Sequence, residues 1–150
     1  MKTFVFGQDE RVAQFCMERI KGISSFGLYT TIGIERDGEL IAGVVYNNYS
    51  GNDICGHIAA VSGSKWCDEN VMRTICSYPL IQLGCNRVTC LIPTRNQRSF
   101  ELCKYFGFKQ EGLMRKAFVD DDGILMGLLK EECPWIGETN GQECKSADAA

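Results

Sequence analysis

A run of β-branched and apolar residues near the middle of the chain most strongly limits the folds that the chain can adopt. Residues 87–92 (RVTCLI) form a nearly continuous apolar strand, the kind that is buried on both faces of a sheet. Pro93 ends this strand. Asn96 is a good N-cap for a helix over residues 97–106, and Gly107 is placed to stop that helix. We therefore expect a central strand that leads directly into a helix.

The other patterns predict further strands and helices around this unit. They place strands at residues 3–6, 30–36, 39–47, 54–61, 108–119 and 124–131, helices at 9–21 and about 67–83, and the last turn around 121–123. Asp37-Gly38 is a strong two-residue hairpin signal, and Pro79 is expected to kink or divide the second helix. The strand–helix–strand order requires a right-handed crossover, so 54–61 and 87–92 are parallel in a mixed α/β sheet with helices on both faces.

Length and charge bound the class of protein. The 150 residues suit one domain, which we assign to 1–136, followed by a flexible polar tail over 137–150. The net charge of −3 argues against a nucleic-acid binder with a broad basic surface, although it leaves a local basic groove open. No apolar run approaches the roughly 20 residues that span a bilayer, and the N-terminus lacks a signal-peptide pattern. We expect a cytoplasmic protein that does not bind membranes.

The nine cysteines are predicted to be free thiols. Their number is odd, and no two of them have the CxxC spacing of zinc or redox sites. Several lie inside apolar runs, as Cys90 does, where cysteine serves as a small hydrophobic residue in a reducing compartment. We therefore predict no metal site.

Residues 84–112 (GCNRVTCLIPTRNQRSFELCKYFGFKQEG) resemble the Gcn5-related N-acetyltransferase superfamily. The resemblance rests on a strand that is followed by Asn96 and by a small residue three positions later, Ser99. Gly107-Phe108 then follow eleven and twelve positions after Asn96. Spacing, order and the strand–helix context all agree with the family pattern.

Further residues point to one branch of that superfamily. Glu111-Gly112 and Arg115 are typical of the ribosomal-protein N-acetyltransferase-like branch and of its small phage and prophage members. A weaker likeness spans about residues 30–136. The resemblance implies a mostly antiparallel sheet of six to seven strands, in which the central parallel pair, 54–61 and 87–92, splays apart.

The resemblance also implies acetyl-CoA as the acyl donor. Unpaired backbone groups of the splayed strands would bind the pantetheine arm like an added strand, and the diphosphate would lie at the N-terminus of the next helix. The cofactor-binding residues that it predicts are Ala59, Ala60, Val61, Ser62, Gly63, Ser64, Lys65, Trp66, Asn96 and Ser99. The chain departs from the usual diphosphate loop, because Gly63 is its one glycine and Trp66-Cys67 occupy the turn. An ordinary polar loop is the alternative interpretation.

Attack of an amine on a thioester needs a neutral amine, a polarised carbonyl and a proton for the leaving thiolate. In the family, a backbone N–H near Ala60 or Val61 polarises the carbonyl. His57, the only histidine, lies on the first splayed strand, where relatives often carry a general base, and its reference pKa suits that role. The alternative is a hydrogen-bonded sheet histidine that faces the other side.

Cys103 occupies the position, seven residues after Asn96, at which many relatives carry a tyrosine as general acid. A thiol pKa near 8.5 is close to that of the leaving CoA thiol, so Cys103 is able to protonate the thiolate. Packing as a small apolar residue beside Leu102 and Phe106 is the alternative. Candidate phosphate contacts are Lys65, Arg95, Arg98 and Lys104.

The leading hypothesis is therefore an N-acetyltransferase that transfers an acetyl group from acetyl-CoA to a primary amine by direct attack in a ternary complex. Its acceptor is open between a protein N-terminus, a lysine, a polyamine and a modified nucleobase. One alternative is a catalytically degenerate binding protein of the same fold. Another is an acyltransferase directed at tRNA or a modified base, against which the acidic net charge counts. A homodimer is left open, and the location would be the host cytoplasm for a virus-encoded chain.

Overall fold

The computed structural model describes residues 1–137, which form one sheet and the helices packed on it. The strands are β1 (Lys2–Val5), β2 (Tyr29–Arg36), β3 (Glu39–Asn47), β4 (Cys55–Ala60), β5 (Arg87–Pro93), β6 (Lys109–Phe118) and β7 (Asp121–Leu129). The helices are α1 (Asp9–Arg19), α2 (Glu69–Ser77) and α3 (Gln97–Phe106), with a π-helical segment at Tyr78–Gln82 and a short 3-10 turn at Lys130–Glu132. Residues 138–150 of the predicted polar tail lie outside the described residues.

The seven strands follow the order β1-β2-β3-β4-β5-β7-β6 in the sheet. Every neighbouring pair is antiparallel except β4 and β5, which are parallel. This arrangement confirms the predicted fold class, a mostly antiparallel mixed sheet with one central parallel pair and helices on both faces. β4 and β5 are parallel because the connection between them contains α2 and crosses over the sheet. Their other neighbours are antiparallel: β3 comes directly before β4 in the chain, and β7 follows β5 after α3 and β6.

The two faces of the sheet carry different helices. α1 packs on β2, β3 and β4, where Val12 and Cys16 meet Val45 and Ala59 in one apolar cluster; we call this side the α1 face. The other side, the α2/α3 face, holds the larger cluster. Tyr46 is buried there, and its hydroxyl donates to the Ile75 carbonyl at 2.7 Å.

Local signals in the sequence are confirmed at three points. Asp37 and Gly38 both have positive φ, 55° and 84°, as the two-residue hairpin between β2 and β3 requires. Asn96 caps α3, since its side chain accepts a hydrogen bond from the Ser99 amide. Gly107 ends α3 with φ at 111°, in the left-handed region that favours glycine.

The second helix differs from its prediction at both ends. It begins at Glu69 rather than near residue 67, because the Asp68 side chain accepts from the Val71 amide at 2.9 Å and caps it. Pro79 does divide the predicted helix, and the chain continues as the π-helical segment. Within residues 1–137, none of the helices is long and apolar enough to span a bilayer.

The last hairpin turns earlier than predicted. Residues 119–120 form the turn, and Asp121–Gly123, predicted as the turn, belong to β7. Asp121 is held at the start of β7, because its carboxylate accepts hydrogen bonds from the Thr94 hydroxyl and the Arg95 amide. These bonds lower the pKa of Asp121 to about 2. A contact with the end of β5 thus outweighs the local turn preference.

Candidate functional site

β4 and β5 are neighbours in the sheet but pair at a single position. That pair is Cys55 with Thr89, and beside it the Thr89 amide donates to the Ile54 carbonyl at 2.8 Å. β5 pairs with β7 at every residue from Arg87 to Pro93, so β5 itself is regular. The two parallel strands therefore diverge, and the predicted splayed pair is confirmed. We call the opening between them the gap.

The pairing of β4 with β3 decides which backbone groups face the gap. The Val61 amide donates to the Ile41 carbonyl at 2.8 Å, and in an antiparallel ladder such pairs alternate along the strand. Val61 and Ala59 therefore direct their peptide groups to β3. Ile58 and Ala60 direct theirs to the gap, where β5 has moved away. Of the two amides predicted to polarise a carbonyl, Ala60 is the one that remains available.

An apolar cavity lies at the narrow end of the gap on the α2/α3 face. Gly56, Ile58 and Cys90 line it from the two strands, and Cys103 and Phe106 line it from α3. The Cys90 thiol also donates to the Gly56 carbonyl at 3.4 Å, the last polar link between the strands. Walls of this kind suit an uncharged thioester better than a charged group.

Cys103 is buried on this face, with 6% of its surface exposed. A hydrogen bond between the two thiols lowers the pKa of Cys103 and raises that of Cys90, which burial raises further. Cys103 also packs in the same cluster as Phe106. Cys103 therefore packs as a small apolar residue, as the alternative interpretation had it. Its side chain also lines the cavity. The eight cysteines within residues 1–137 are free thiols, as predicted, and Cys144 lies outside that range.

His57 lies on the opposite, α1 face of β4, across from Val45 of β3. Its Nε2 is 2.9 Å from Asn47 Oδ1, and its ring lies against the Phe26 ring with centroids 5.3 Å apart. Burial lowers the pKa of His57, which favours the neutral imidazole. His57 is thus a hydrogen-bonded sheet histidine, as the alternative had it, and it sits directly beside the gap.

The loop after β4 approaches the first turn of α3. Ser62 and Gly63 form a turn, in which the Ser64 amide donates to the Val61 carbonyl at 3.2 Å. Arg98 reaches across from α3 to donate to Ser62 Oγ at 3.3 Å. The fold therefore brings the predicted loop residues near Asn96 and Ser99, although these segments are far apart in sequence.

The N-terminus of α2, predicted to receive a diphosphate, carries a carboxylate of the chain itself. Asp68 accepts from the Val71 amide there, and Lys2 forms an ion pair with it at 2.5 Å. The hydrogen bond from Lys2 lowers the pKa of Asp68, so the group is ionised. An anion at the helix tip competes with a second anion, because both use the same helix dipole. The predicted diphosphate residues Ser62 to Trp66 belong to the loop that precedes this capped helix end.

The donors of this loop come from a few residues. Ser64 Oγ is buried and is the one such side-chain atom without a hydrogen-bond partner among the described residues. Lys65 is exposed in the loop, with φ at 55°. Trp66 packs against the core of the α2/α3 face instead of covering the loop. The loop therefore fits a phosphate group through Ser64, Lys65 and Arg98.

The other two basic candidates are engaged elsewhere. Arg95 donates to the Asp120 carbonyl and to the Asp121 carboxylate near the last turn. Lys104 lies 4.0 Å from Glu101 one helical turn away, at the far end of α3. Within the described range, no three His, Cys, Asp or Glu side chains come together as metal ligands would.

Reasoning from sequence missed Asn47 and the Phe26 carbonyl, which hold His57. Asn47 is the last residue of the strand predicted over residues 39–47, and no role was predicted for it there. A lone asparagine at the end of such a strand is the one local signal that marks it. Phe26 lies in a segment without a clear pattern, so its contribution has no sequence signature.

Several solved structures share this fold. A mutant of spermidine N-acetyltransferase SpeG from Vibrio cholerae matches with a TM-score of 0.72 over 87% of this chain and 94% of that one, at 14% identity. A probable acetyltransferase matches with 0.62 over 69% of this chain at 21% identity, and the match spans only 62% of that protein. Campylobacter jejuni N-acetyltransferase PseH in complex with acetyl coenzyme A matches with 0.56 over 69% of either chain, at 16% identity.

No protein-family model matches the chain, and no curated protein matches it in sequence. At these identities the structural likeness defines the fold. The fold is that of the Gcn5-related N-acetyltransferases, as the resemblance of residues 84–112 implied.

Proposed function

We propose that this protein is an N-acetyltransferase that moves an acetyl group from acetyl-CoA to a primary amine by direct attack in a ternary complex. The observation that carries the proposal is the gap: β4 and β5 separate after one pair and leave the peptide groups of Ile58 and Ala60 without strand partners. Structural neighbours that are named acetyltransferases support it, as does the acetyl coenzyme A bound to one of them.

The donor is proposed to enter the gap as an additional strand. The amide groups of its pantetheine arm would pair with the backbone groups of Ala60, in the way that a peptide joins an open sheet edge. The diphosphate would then lie at the loop of Ser64 and Lys65, with Arg98 as a cationic partner. The thioester would reach the apolar cavity beside Gly56.

The two faces of the gap supply the proton transfers. An amine that approaches from the α1 face gives a proton to His57 while its nitrogen bonds to the thioester carbon. The gap-facing amide of Ile58, which also lines the cavity, donates to the developing oxyanion. The carbon–sulfur bond then breaks, and the CoA thiolate takes the proton of Cys103 on the α2/α3 face. The products are the acetylated amine and CoA, and solvent exchanges the protons of His57 and Cys103.

The acceptor is proposed only as a primary amine. The α1 face beside the gap carries charged groups: Arg87 pairs with Glu111 at 2.8 Å, and Thr89 donates to Asp53 at 2.7 Å.

Four further points stay predictions. They are the assignment to the ribosomal-protein branch, a viral origin, the cytoplasmic location and a homodimer.

The test has two stages. Thermal unfolding of the full chain is followed against acetyl-CoA concentration, and the midpoint should rise with the logarithm of that concentration. Turnover is then measured on a panel of peptides, polyamines and nucleosides, with CoA quantified by chromatography, because the cysteines of the protein would react with thiol reagents. No thermal shift at millimolar acetyl-CoA, together with no CoA release, would overturn the proposal.

A second candidate, a binding protein of the same fold without turnover, is favoured by one observation. Cys103, at the position where many relatives carry a tyrosine as general acid, is buried and packs in the core of the α2/α3 face. A thermal shift with acetyl-CoA, without CoA release on any amine of the panel, would support this candidate. A tRNA-directed enzyme would instead show acetylated tRNA in the same panel.

A further inference from the structure

The Asn47 side chain joins His57 to a distant backbone carbonyl. Asn47 closes β3 and is only 9% exposed. Its Oδ1 lies 2.9 Å from His57 Nε2, while its Nδ2 donates to the Phe26 carbonyl at 3.0 Å. One buried amide therefore connects β3, β4 and the segment between α1 and β2.

The Phe26 carbonyl decides which way the Asn47 amide faces. A carbonyl oxygen only accepts hydrogen bonds, so the nitrogen of the Asn47 amide has to face Phe26. The reverse orientation would bring two acceptor oxygens together in a buried position and leave both without a donor. The Asn47 oxygen therefore faces His57.

The orientation of the Asn47 amide determines which nitrogen of the His57 ring carries the proton. Asn47 Oδ1 is an acceptor, so Nε2 of His57 has to carry the hydrogen. In the neutral imidazole the other nitrogen, Nδ1, then holds the free lone pair. A ring with the opposite tautomer would place two lone pairs 2.9 Å apart.

The Nδ1 atom is open to a partner. Within residues 1–137 no hydrogen bond occupies it, and Ser64 Oγ is the one fully buried side-chain nitrogen or oxygen there that lacks a partner. His57 Nδ1 is therefore in contact with solvent. The Phe26 ring lies against the imidazole and limits its rotation.

We infer that Asn47 is a positioning residue: held by the Phe26 carbonyl, it keeps His57 in the Nε2–H tautomer and leaves Nδ1 as the nitrogen that takes the proton of the acceptor amine. The role of Nδ1 as a base rests on the proposed function. The tautomer is a property of the free protein and is measured without any substrate.

The single histidine makes the tautomer directly observable. The full chain is labelled with 15N-histidine, and long-range 1H–15N spectra are recorded above the imidazole pKa. Nδ1 should show the shift of an unprotonated, pyridine-type nitrogen and Nε2 that of a protonated, pyrrole-type nitrogen. The reverse assignment would overturn the inference.

Asn47→Leu removes the acceptor at nearly the same volume. The Nε2–H tautomer should lose the stabilisation that Asn47 gives it and fall toward the mixture of an unpaired imidazole, and kcat should fall at least about tenfold with KM for acetyl-CoA unchanged. Tyr46→Phe is the matched control. It removes one buried hydrogen bond, from the Tyr46 hydroxyl to the Ile75 carbonyl, at the residue that precedes Asn47 and faces the other side of the sheet. The control should keep the tautomer. An Asn47→Leu protein with an unchanged tautomer would contradict the inference.

If the Asn47→Leu variant does not fold, Asn47→Asp tests the same inference about the His57 tautomer. An aspartate retains an acceptor for Nε2–H, so the tautomer should persist, and the added charge should raise the His57 pKa that the same spectra report. The opposite tautomer in this variant would count against the inference. A chain with the expected tautomer but without acetyl transfer would instead overturn the proposed function and leave the tautomer assignment supported.

Discussion

The two faces of the gap differ in every property that matters for proton transfer. On the α1 face, His57 is half-buried and hydrogen-bonded to Asn47. On the α2/α3 face, Cys103 and Cys90 are buried thiols in an apolar cavity. Because side chains of a strand alternate between faces, one short strand separates a titratable base from a thiol pair.

The proposed base and the proposed acid therefore lie on opposite faces of one sheet. Within residues 1–137, β4 lies between them, and the gap borders this strand. Variants on the two faces of the gap test whether His57 and Cys103 have these separate roles.

Replacing His57 by glutamine should abolish most of the turnover. The loss of a positioned general base lowers the rate by about 10²–10⁴-fold, whereas acetyl-CoA binding, which is proposed to use backbone groups in the gap, should persist. Steady-state kinetics and thermal shift with acetyl-CoA measure the two quantities. Cys55→Ser, on the same face and strand, is the control and should keep its activity. Full turnover of the glutamine variant at every pH would remove His57 from the mechanism.

Cys103→Ala should reduce turnover by about tenfold, less than the histidine variant. A thiol leaving group with a pKa near 8.5 departs largely as the thiolate, so it needs less help from an acid. Cys85→Ala is the control, since Cys85 is also buried but does not line the cavity. Equal losses in both variants would show that Cys103 acts through packing alone.

Asp68→Asn should strengthen acetyl-CoA binding about two- to fivefold. Asparagine can still cap α2, but it removes the negative charge that competes for the helix dipole, worth about 0.3–1 kcal/mol. Calorimetric titration with acetyl-CoA checks the change. Acetyl-pantetheine, which lacks the diphosphate, is the control ligand and should bind both proteins equally. A gain for both ligands would place the effect outside the diphosphate site.

The smallest effect concerns stability near neutral pH. Burial holds the pKa of His57 below its ordinary value near 6.5, so between these two values the unfolded chain binds more protons than the folded one. The free energy of unfolding should therefore fall as the pH drops through 6.5. Urea unfolding at pH 7 and at pH 5 measures it, and the decrease should be smaller in His57→Gln. Asp68 and Asp121, whose pKa values are lowered, lose their contributions only at more acidic pH. An identical decrease in both proteins would contradict the assignment.

Short-range patterns predicted much of the framework. The Asp37-Gly38 hairpin, the Asn96 cap and the Gly107 stop are confirmed because each depends on the conformational preference of residues within one turn. The start of α2 and the last turn lie at other residues than the sequence patterns predicted. In the last turn, the contacts of Asp121 with Thr94 and Arg95 involve residues more than 20 positions away, which a local pattern does not contain.

The order of strands and helices, the resemblance that implied the fold and the alternation of His57 with Ile58 all follow from the amino-acid order alone. The face that each of these two residues meets, the free amide of Ala60 rather than Val61, and the hydrogen bond from Asn47 to His57 emerge only from the packed structure. The difference arises from distance along the chain. Alternation and capping act between near neighbours, whereas the Asn47 bond to Phe26 joins positions 21 residues apart and exists only after the sheet and its helices have packed.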